Sequence, residues 1–124
     1  VTQTTYWLVR DGATVLGMGR LRHRLTPALE KEGGHIGYTV RPTERRKGYG
    51  TLLCALLLKE AKTLLGLTRV LITCDTDNFP SARIIVRNGG VFAGEAISDI
   101  SGKPVSRYWI DLTGTSPGPL SLSA

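Results

Sequence analysis

The sequence predicts an α/β chain of the α+β kind, a mixed and mostly antiparallel sheet arranged around one central strand–helix–strand unit. Three observations carry this prediction. Residues 5–25 alternate on either side of an Asp-Gly turn signal and read as an antiparallel hairpin; residues 35–74 read as strand, long helix and strand; residues 90–112 hold two further strands joined by a short loop. A chain of 124 residues makes one domain, and folding at that size buries roughly two thirds of the surface the unfolded chain exposes, so no disulfide framework is required.

Taken in order, "TYWLV" is rich in β-formers, "RDGA" supplies the turn, and "TVLGMGRLRHRL" resumes the alternation. "TPALEKEGG" then reads as a polar loop, and "HIGYTV" as a third strand that stops at Arg41-Pro42, because proline offers no ladder donor and restricts its predecessor. Residues 48–65 carry the clearest helix: Leu52, Leu53, Leu56, Leu57, Ala61, Leu64 and Leu65 recur at helical spacing, Lys59, Glu60, Lys62 and Thr63 mark the wet face, and Gly66 is the stop. "RVLITC" follows as a buried strand parallel to the third, completing a crossover expected to be right-handed.

A second helix is expected over residues 79–86, with Asp77 or Asn78 as its cap, Pro80 in its first turn and Asn88-Gly89-Gly90 ending it. "GVFAGEAI" and "VSRYWIDL" are the closing strands, which puts the domain at residues 1–112. Residues 113–124, "TGTSPGPLSLSA" with its preceding periodicity lost, are expected to form a disordered tail.

The two cysteines, Cys54 and Cys74, lie within apolar runs at no metal-ligand spacing and read as small apolar side chains, with no metal site implied. That usage fits a reducing compartment. The longest apolar run, 52–58, is far short of the roughly 20 residues a bilayer requires, so the expectation is a soluble, cytoplasmic chain with no membrane partner.

The net charge of +6 is compatible with any polyanion, but the basic residues concentrate only at 41–47. A nucleic-acid surface needs a basic stripe interleaved with stacking aromatics, whereas Tyr49 is the single aromatic beside this cluster. Nucleic acid is therefore disfavoured. What "ERRKGYG" offers instead is a cradle for a polyphosphate: a helix start leaves N–H donors unpaired at the positive end of the dipole, Gly48 and Gly50 keep bulk away, and Arg45, Arg46 and Lys47 add attraction. The phosphate-loop pattern of NTPases is missing, and Gly17-Met18-Gly19 lies in the hairpin, the wrong context for a dinucleotide fingerprint.

Arg45-Arg46-Lys47-Gly48-Tyr49-Gly50, placed between a strand ending in "VRP" and a helix, resembles the [Q/R]-x-x-G-x-[G/A] motif of the GNAT superfamily of N-acetyltransferases. "DNFPSARIIVRNGGVF", "GGHIGY" and "RYWIDL" extend the likeness over residues 5–112, toward a bacterial branch of that superfamily. The resemblance implies a GNAT-like sheet whose two parallel strands splay apart, with acetyl-CoA as cosubstrate and a primary amine of a small molecule or protein as acceptor. It further implies that the backbone of Tyr38, Thr39 and Val40 pairs with the pantetheine arm. The amides of Arg46, Lys47, Gly48, Tyr49, Gly50 and Thr51 would hold the pyrophosphate, and Asn78 and Ser81 would lie beside the sulfur end. The usual N-terminal strand and two helices do not precede the hairpin in this sequence, and a homodimer covering the uncovered surface is the expected consequence.

Catalytic groups are less legible. Many GNAT enzymes place a tyrosine seven residues after the asparagine as general acid, where this sequence has Ile85. His35 and Tyr38 are the weak candidates for proton chemistry, on opposite faces of one strand by alternation, and His35 reads equally as a structural histidine. Asp75 and Asp77 end the second parallel strand, Asp77 being as well suited to capping. Trp7, Tyr108 and Trp109 suit either an acceptor pocket or packing. The alternative to a transferase is a shortened CoA-binding module of the same family that acts by binding or interaction.

Overall fold

The structure, a computed structural model, describes residues 2–113; residues 114–124 of the expected tail lie outside the described residues. Strands β1 (Gln3–Arg10) and β2 (Thr14–Arg22) form the hairpin. Asp11 and Gly12 take φ values of 54° and 69°, and the Ala13 amide donates to the Arg10 carbonyl at 3.2 Å. Both central turn residues are therefore left-handed, the geometry that matches the twist of paired strands.

The expected polar loop contains a short helix, α1 (Pro27–Lys31), which corrects the sequence reading. Thr26 caps it by accepting from the Leu29 amide at 3.3 Å, and Pro27 occupies its first position. Five residues are too few to show a periodicity, so the start signals passed for turn residues.

Strand β3 (Ile36–Val40), a single 3₁₀ turn at Pro42–Glu44, helix α2 (Tyr49–Leu65) and strand β4 (Arg69–Asp75) form the central unit. Helix α2 buries Leu53, Cys54, Leu57, Leu58 and Ala61. Leu64, expected on that face, is 59% exposed. After Ala61 the stripe can continue at either of two positions, and Leu65 is the one that packs. Gly19 lets the helix lie on β2, since a Cβ there would fall 2.6 Å from Leu57.

Helix α3 (Phe79–Arg87) and strands β5 (Val91–Ile97) and β6 (Pro104–Asp111) complete the fold. The strands form two antiparallel sheets, ordered β1-β2-β3 and β4-β6-β5. Strands β3 and β4, expected from sequence to run parallel, share no ladder. They are joined at one end only: the His35 amide donates to the Leu71 carbonyl at 2.8 Å, the Leu71 amide donates to His35 Nδ1 at 3.0 Å, and the Gly33 amide donates to Thr73 Oγ1 at 2.9 Å. Beyond that stitch the strands part, and the edge of β3 from Tyr38 to Val40 is left open. The core cluster, including Leu21, Ile36, Leu57, Val70, Ile72 and Ile85, lies behind the opening. Among the described residues no helix is long and apolar enough to cross a membrane.

Candidate functional site

Pairing fixes which groups of β3 face the gap. The Arg22 amide bonds the His35 carbonyl and the Arg41 amide bonds the Leu16 carbonyl, so the odd-numbered residues between them turn their backbone groups to β2. Those of Tyr38 and Val40 point the other way. Thr39, proposed from sequence to pair with an extended ligand, spends its own backbone groups on β2. The Val40 carbonyl accepts from Arg45 Nε at 3.1 Å.

From this edge a cleft of about 700 Å³ runs to the start of α2 and along α3. Every cofactor-contact residue expected from sequence lines it except Lys47: Tyr38, Thr39 and Val40 on β3, Arg45 and Arg46 on the loop, Gly48, Tyr49, Gly50 and Thr51 at the helix start, and Asn78 and Ser81 on the facing turn. Lys47 is turned to Glu44, with Nζ 2.9 Å from Oε2. Buried Glu44 also meets Arg10 of the hairpin at 3.3 Å, and the hydrogen bond from Lys47 is the main cause holding its carboxyl below the usual range. Glu44 thus ties the loop to the hairpin turn and neutralises one of the cations that the sequence assigned to attraction.

Helix α2 starts without help from a side chain. Its N-cap is Gly48 at φ 83°, which makes no capping bond, and its first turn has no acidic residue. The first-turn amides consequently have no acceptor within the helix and none from a cap. A Cβ on Gly48 would meet nothing within 4 Å, so glycine is needed there for its left-handed φ, which is strained for L side chains. Gly50 differs: its Cβ would fall 2.7 Å from Ile84 Cδ1, so it serves the contact between α2 and α3 rather than room for a ligand. Arg46 adds a second left-handed residue, φ 65°, and left-handed residues within such a loop are the backbone pattern from which anion-binding concavities form.

Helix α3 contributes what sequence reasoning missed. Arg83 and Arg87, one turn apart, line the cleft beside Ile84 and Pro80. The i, i+4 pair of arginines on an otherwise apolar helix was the available signal. Ile85, the position where a tyrosine acid was sought, is fully buried in the core and does not line the cleft.

At the far end, the Tyr38 hydroxyl lies 3.5 Å from Ser81 Oγ. Burial pushes the Tyr38 hydroxyl far above its ordinary value, with the neighbouring Cys54 adding to the rise. It stays protonated, and either hydroxyl of the pair can donate to the other. His35 is absent from the cleft: it is buried, its Nδ1 is engaged by the Leu71 amide, and burial lowers its pKa. Burial pushes the Cys54 thiol up to about 12 and raises Cys74 as well, consistent with unreactive packing thiols. Tyr108 is in the core, Trp109 packs under Arg69 at 4.1 Å, and Trp7 is 61% exposed on the hairpin; none of the three lines the cleft.

A family model described as an acetyltransferase (GNAT) domain matches residues 2–91. No curated protein matches the chain. Among solved structures, a variant of the spermidine N-acetyltransferase SpeG from Vibrio cholerae is similar at a TM-score of 0.71 and 16% identity, over 88% of this chain and 65% of its own. Another SpeG variant gives 0.73 at 15% identity, over 88% and 64%. A protein described as a probable acetyltransferase gives 0.71 at 23% identity, over 90% and 63%. The chain thus spans less than two thirds of the length of these structures, and at such identities the likeness is one of fold.

Proposed function

The chain belongs to the GNAT acetyltransferase family, and from that premise we propose that it binds acetyl-CoA in the cleft and transfers the acetyl group to a primary amine. The observation that carries the proposal is the uncapped start of α2, with Gly48 left-handed at φ 83° and arginines 45, 46, 83 and 87 around it. A pyrophosphate accepts from such amides and is stabilised by the dipole and the guanidinium groups together.

Acetyl-CoA supplies the activated acyl group. The chain's part is to bind and orient it: the amides of Tyr49, Gly50 and Thr51 hold the phosphates, and the backbone groups of Tyr38 and the Val40 amide, which face away from β2, pair with the pantetheine amides as an added strand would. The acyl end then reaches Tyr38 and Ser81, where a strand amide stabilises negative charge developing on the carbonyl oxygen. The Tyr38 hydroxyl, held protonated by burial, contributes a hydrogen bond to the departing sulfur. It is too weak an acid to give its proton up readily.

Assembly into a homodimer belongs to the same proposal. Trp7 and Val9 lie on one side of edge strand β1 and are 61% and 42% exposed, an apolar surface that a second copy would cover. A monomer by light scattering at high concentration counts against it.

Calorimetric titration with acetyl-CoA, for the parent and for Gly48→Glu, tests the cofactor reading. Saturable binding by the parent and its loss in the variant are expected; absence of binding by the parent overturns the proposal. Binding without turnover of any amine would favour a CoA-binding module instead, the reading to which buried Ile85 lends weight.

A further inference from the structure

Beside the cleft lies a smaller cavity of about 310 Å³, lined by Thr76, Asp77, Phe79, Lys103 and Pro104. Two segments make its walls: the turn from β4 into α3, and the start of β6. They are fixed to each other by the Thr76 amide, which donates to the Pro104 carbonyl at 3.2 Å, and by the Ser106 hydroxyl, 3.5 Å from Thr76 Oγ1. The turn is held tight as the Asn78 amide donates to the Asp75 carbonyl at 2.9 Å.

The two cavities flank the first turn of α3, since Asp77 and Phe79 line the small one and Asn78, Pro80 and Ser81 line the large one. The small cavity therefore lies within a few residues of Ser81, beside which the acyl end is proposed to lie. Its charges are of opposite sign and come from different walls, Asp77 on the α3 side and Lys103 on the β6 side. Among the described residues neither side chain has an ion-pair or hydrogen-bond partner, and the rest of the lining is Thr76, Phe79, 64% exposed, and Pro104.

We infer that this cavity is the acceptor pocket and that it takes a compact amino-carboxylate, an α-amino acid with an apolar side chain, its ammonium toward Asp77 and its carboxylate toward Lys103. The inference rests on the acetyl-transfer reading above. Opposite unpaired charges across an apolar floor complement a small zwitterion. A polyamine would set a second ammonium against Lys103, and a peptide-linked lysine would bring no carboxylate to it. In the step itself the ammonium first loses a proton to water. The neutral nitrogen then attacks the acetyl carbon, the N–C bond forms as the C–S bond breaks, and the sulfur takes a second proton from the nitrogen. The products are the N-acetyl amino acid and the CoA thiol.

Thiol release with saturating acetyl-CoA is measured for L-leucine, L-leucinamide, 3-methylbutylamine and spermidine. We expect kcat/KM for leucine about tenfold above the other three. Lys103→Ala should raise KM for leucine about tenfold and leave 3-methylbutylamine within about twofold, and Lys103→Glu should reverse the preference toward the amines. Equal or faster turnover of the amide or the amines, or a leucine KM indifferent to Lys103, overturns the inference. Saturation-transfer NMR with L-leucine keeps it testable without turnover: methyl signals lost in Lys103→Ala support it, and no signal with the parent sinks it. Failure of the cofactor reading shows separately, as absent acetyl-CoA binding by calorimetry.

Discussion

Two helix starts face each other across the cleft, and they dispose of their free amides in opposite ways. Helix α3 consumes its own: Asn78 Oδ1 accepts from the Ser81 amide at 3.2 Å, and Pro80 has no N–H to satisfy. Helix α2 begins at a glycine with no cap bond and no acidic side chain. One helix start is thus closed and the other left open, where the anion site is proposed. The two differ in whether the chain spends the donors itself and in the left-handed backbone of Gly48. The flanking charges follow a similar division, since Arg45, Arg46, Arg83 and Arg87 line the cleft of the open start with Glu44 as its one carboxylate among the described residues, while Asp77 stands beside the capped one.

The sharpest way to break this contrast is to give α2 the cap that α3 has. Gly48→Asp puts an acceptor over the first-turn amides and a negative charge where phosphates are proposed to sit. Acetyl-CoA affinity by calorimetry should fall about 100-fold or more, from loss of the donors together with charge repulsion. Melting should change little, because the cap offsets part of the cost of a left-handed non-glycine residue. Unchanged affinity would mean that these amides hold no phosphate.

Next in size is the stitch that sets the spacing between the two helix starts. His35→Ala deletes the acceptor of the buried Leu71 amide, and denaturant unfolding should show a loss of about 1–3 kcal/mol. The pH dependence of the parent gives an independent reading. Burial, with a smaller part from Arg69, depresses the folded pKa of His35 below its ordinary 6.5. Below that value the unfolded chain takes up a proton that the folded one resists, so the unfolded state binds more protons and stability falls as the solution is acidified. The contribution is complete above about pH 6.5 and is lost as pH falls toward the depressed value. His35→Gln, which keeps an acceptor and removes the titration, should flatten that decline. A parent profile flat from pH 8 to 5 would contradict the assignment.

How much of this was legible in the sequence follows from how local each feature is. The α2 start is one contiguous stretch whose arginines could be read directly, while Gly48 and Gly50, read as room for a ligand, are required by a left-handed φ and by Ile84 respectively. The central unit and the closing strands were legible for the same reason, each being set by its own pattern. The other wall was harder. Arg83 and Arg87 reach the cleft only because α3 packs on α2 through Gly50 and Ile84, and no local pattern announces that contact. Lys47 looked like its neighbours in sequence, yet a buried carboxylate three residues earlier claims it. Likewise His35 became a strand clasp through Leu71, 36 positions away. The Asp77–Lys103 cavity joins two turns that share no motif, and only the pairing of β4 with β6 brings them together.

The smallest expected effect lies at the capped start. Asn78→Ala removes the bond to the Ser81 amide, and caps of this kind are worth about 1 kcal/mol, so the unfolding free energy from urea titration should fall by that amount. The Ser81 amide would then be free, as the first-turn amides of α2 are. If free donors alone made an anion site, the variant would gain affinity for inorganic pyrophosphate at this second start. It should not: Pro80 has removed one donor, Asp77 brings negative charge to the turn, and the left-handed residues of the loop, Arg46 and Gly48, have no counterpart between Asp75 and Asn78. A titration of Asn78→Ala showing no second pyrophosphate site would locate the selectivity of α2 in its loop. A second site of equal strength would locate it in the missing cap alone.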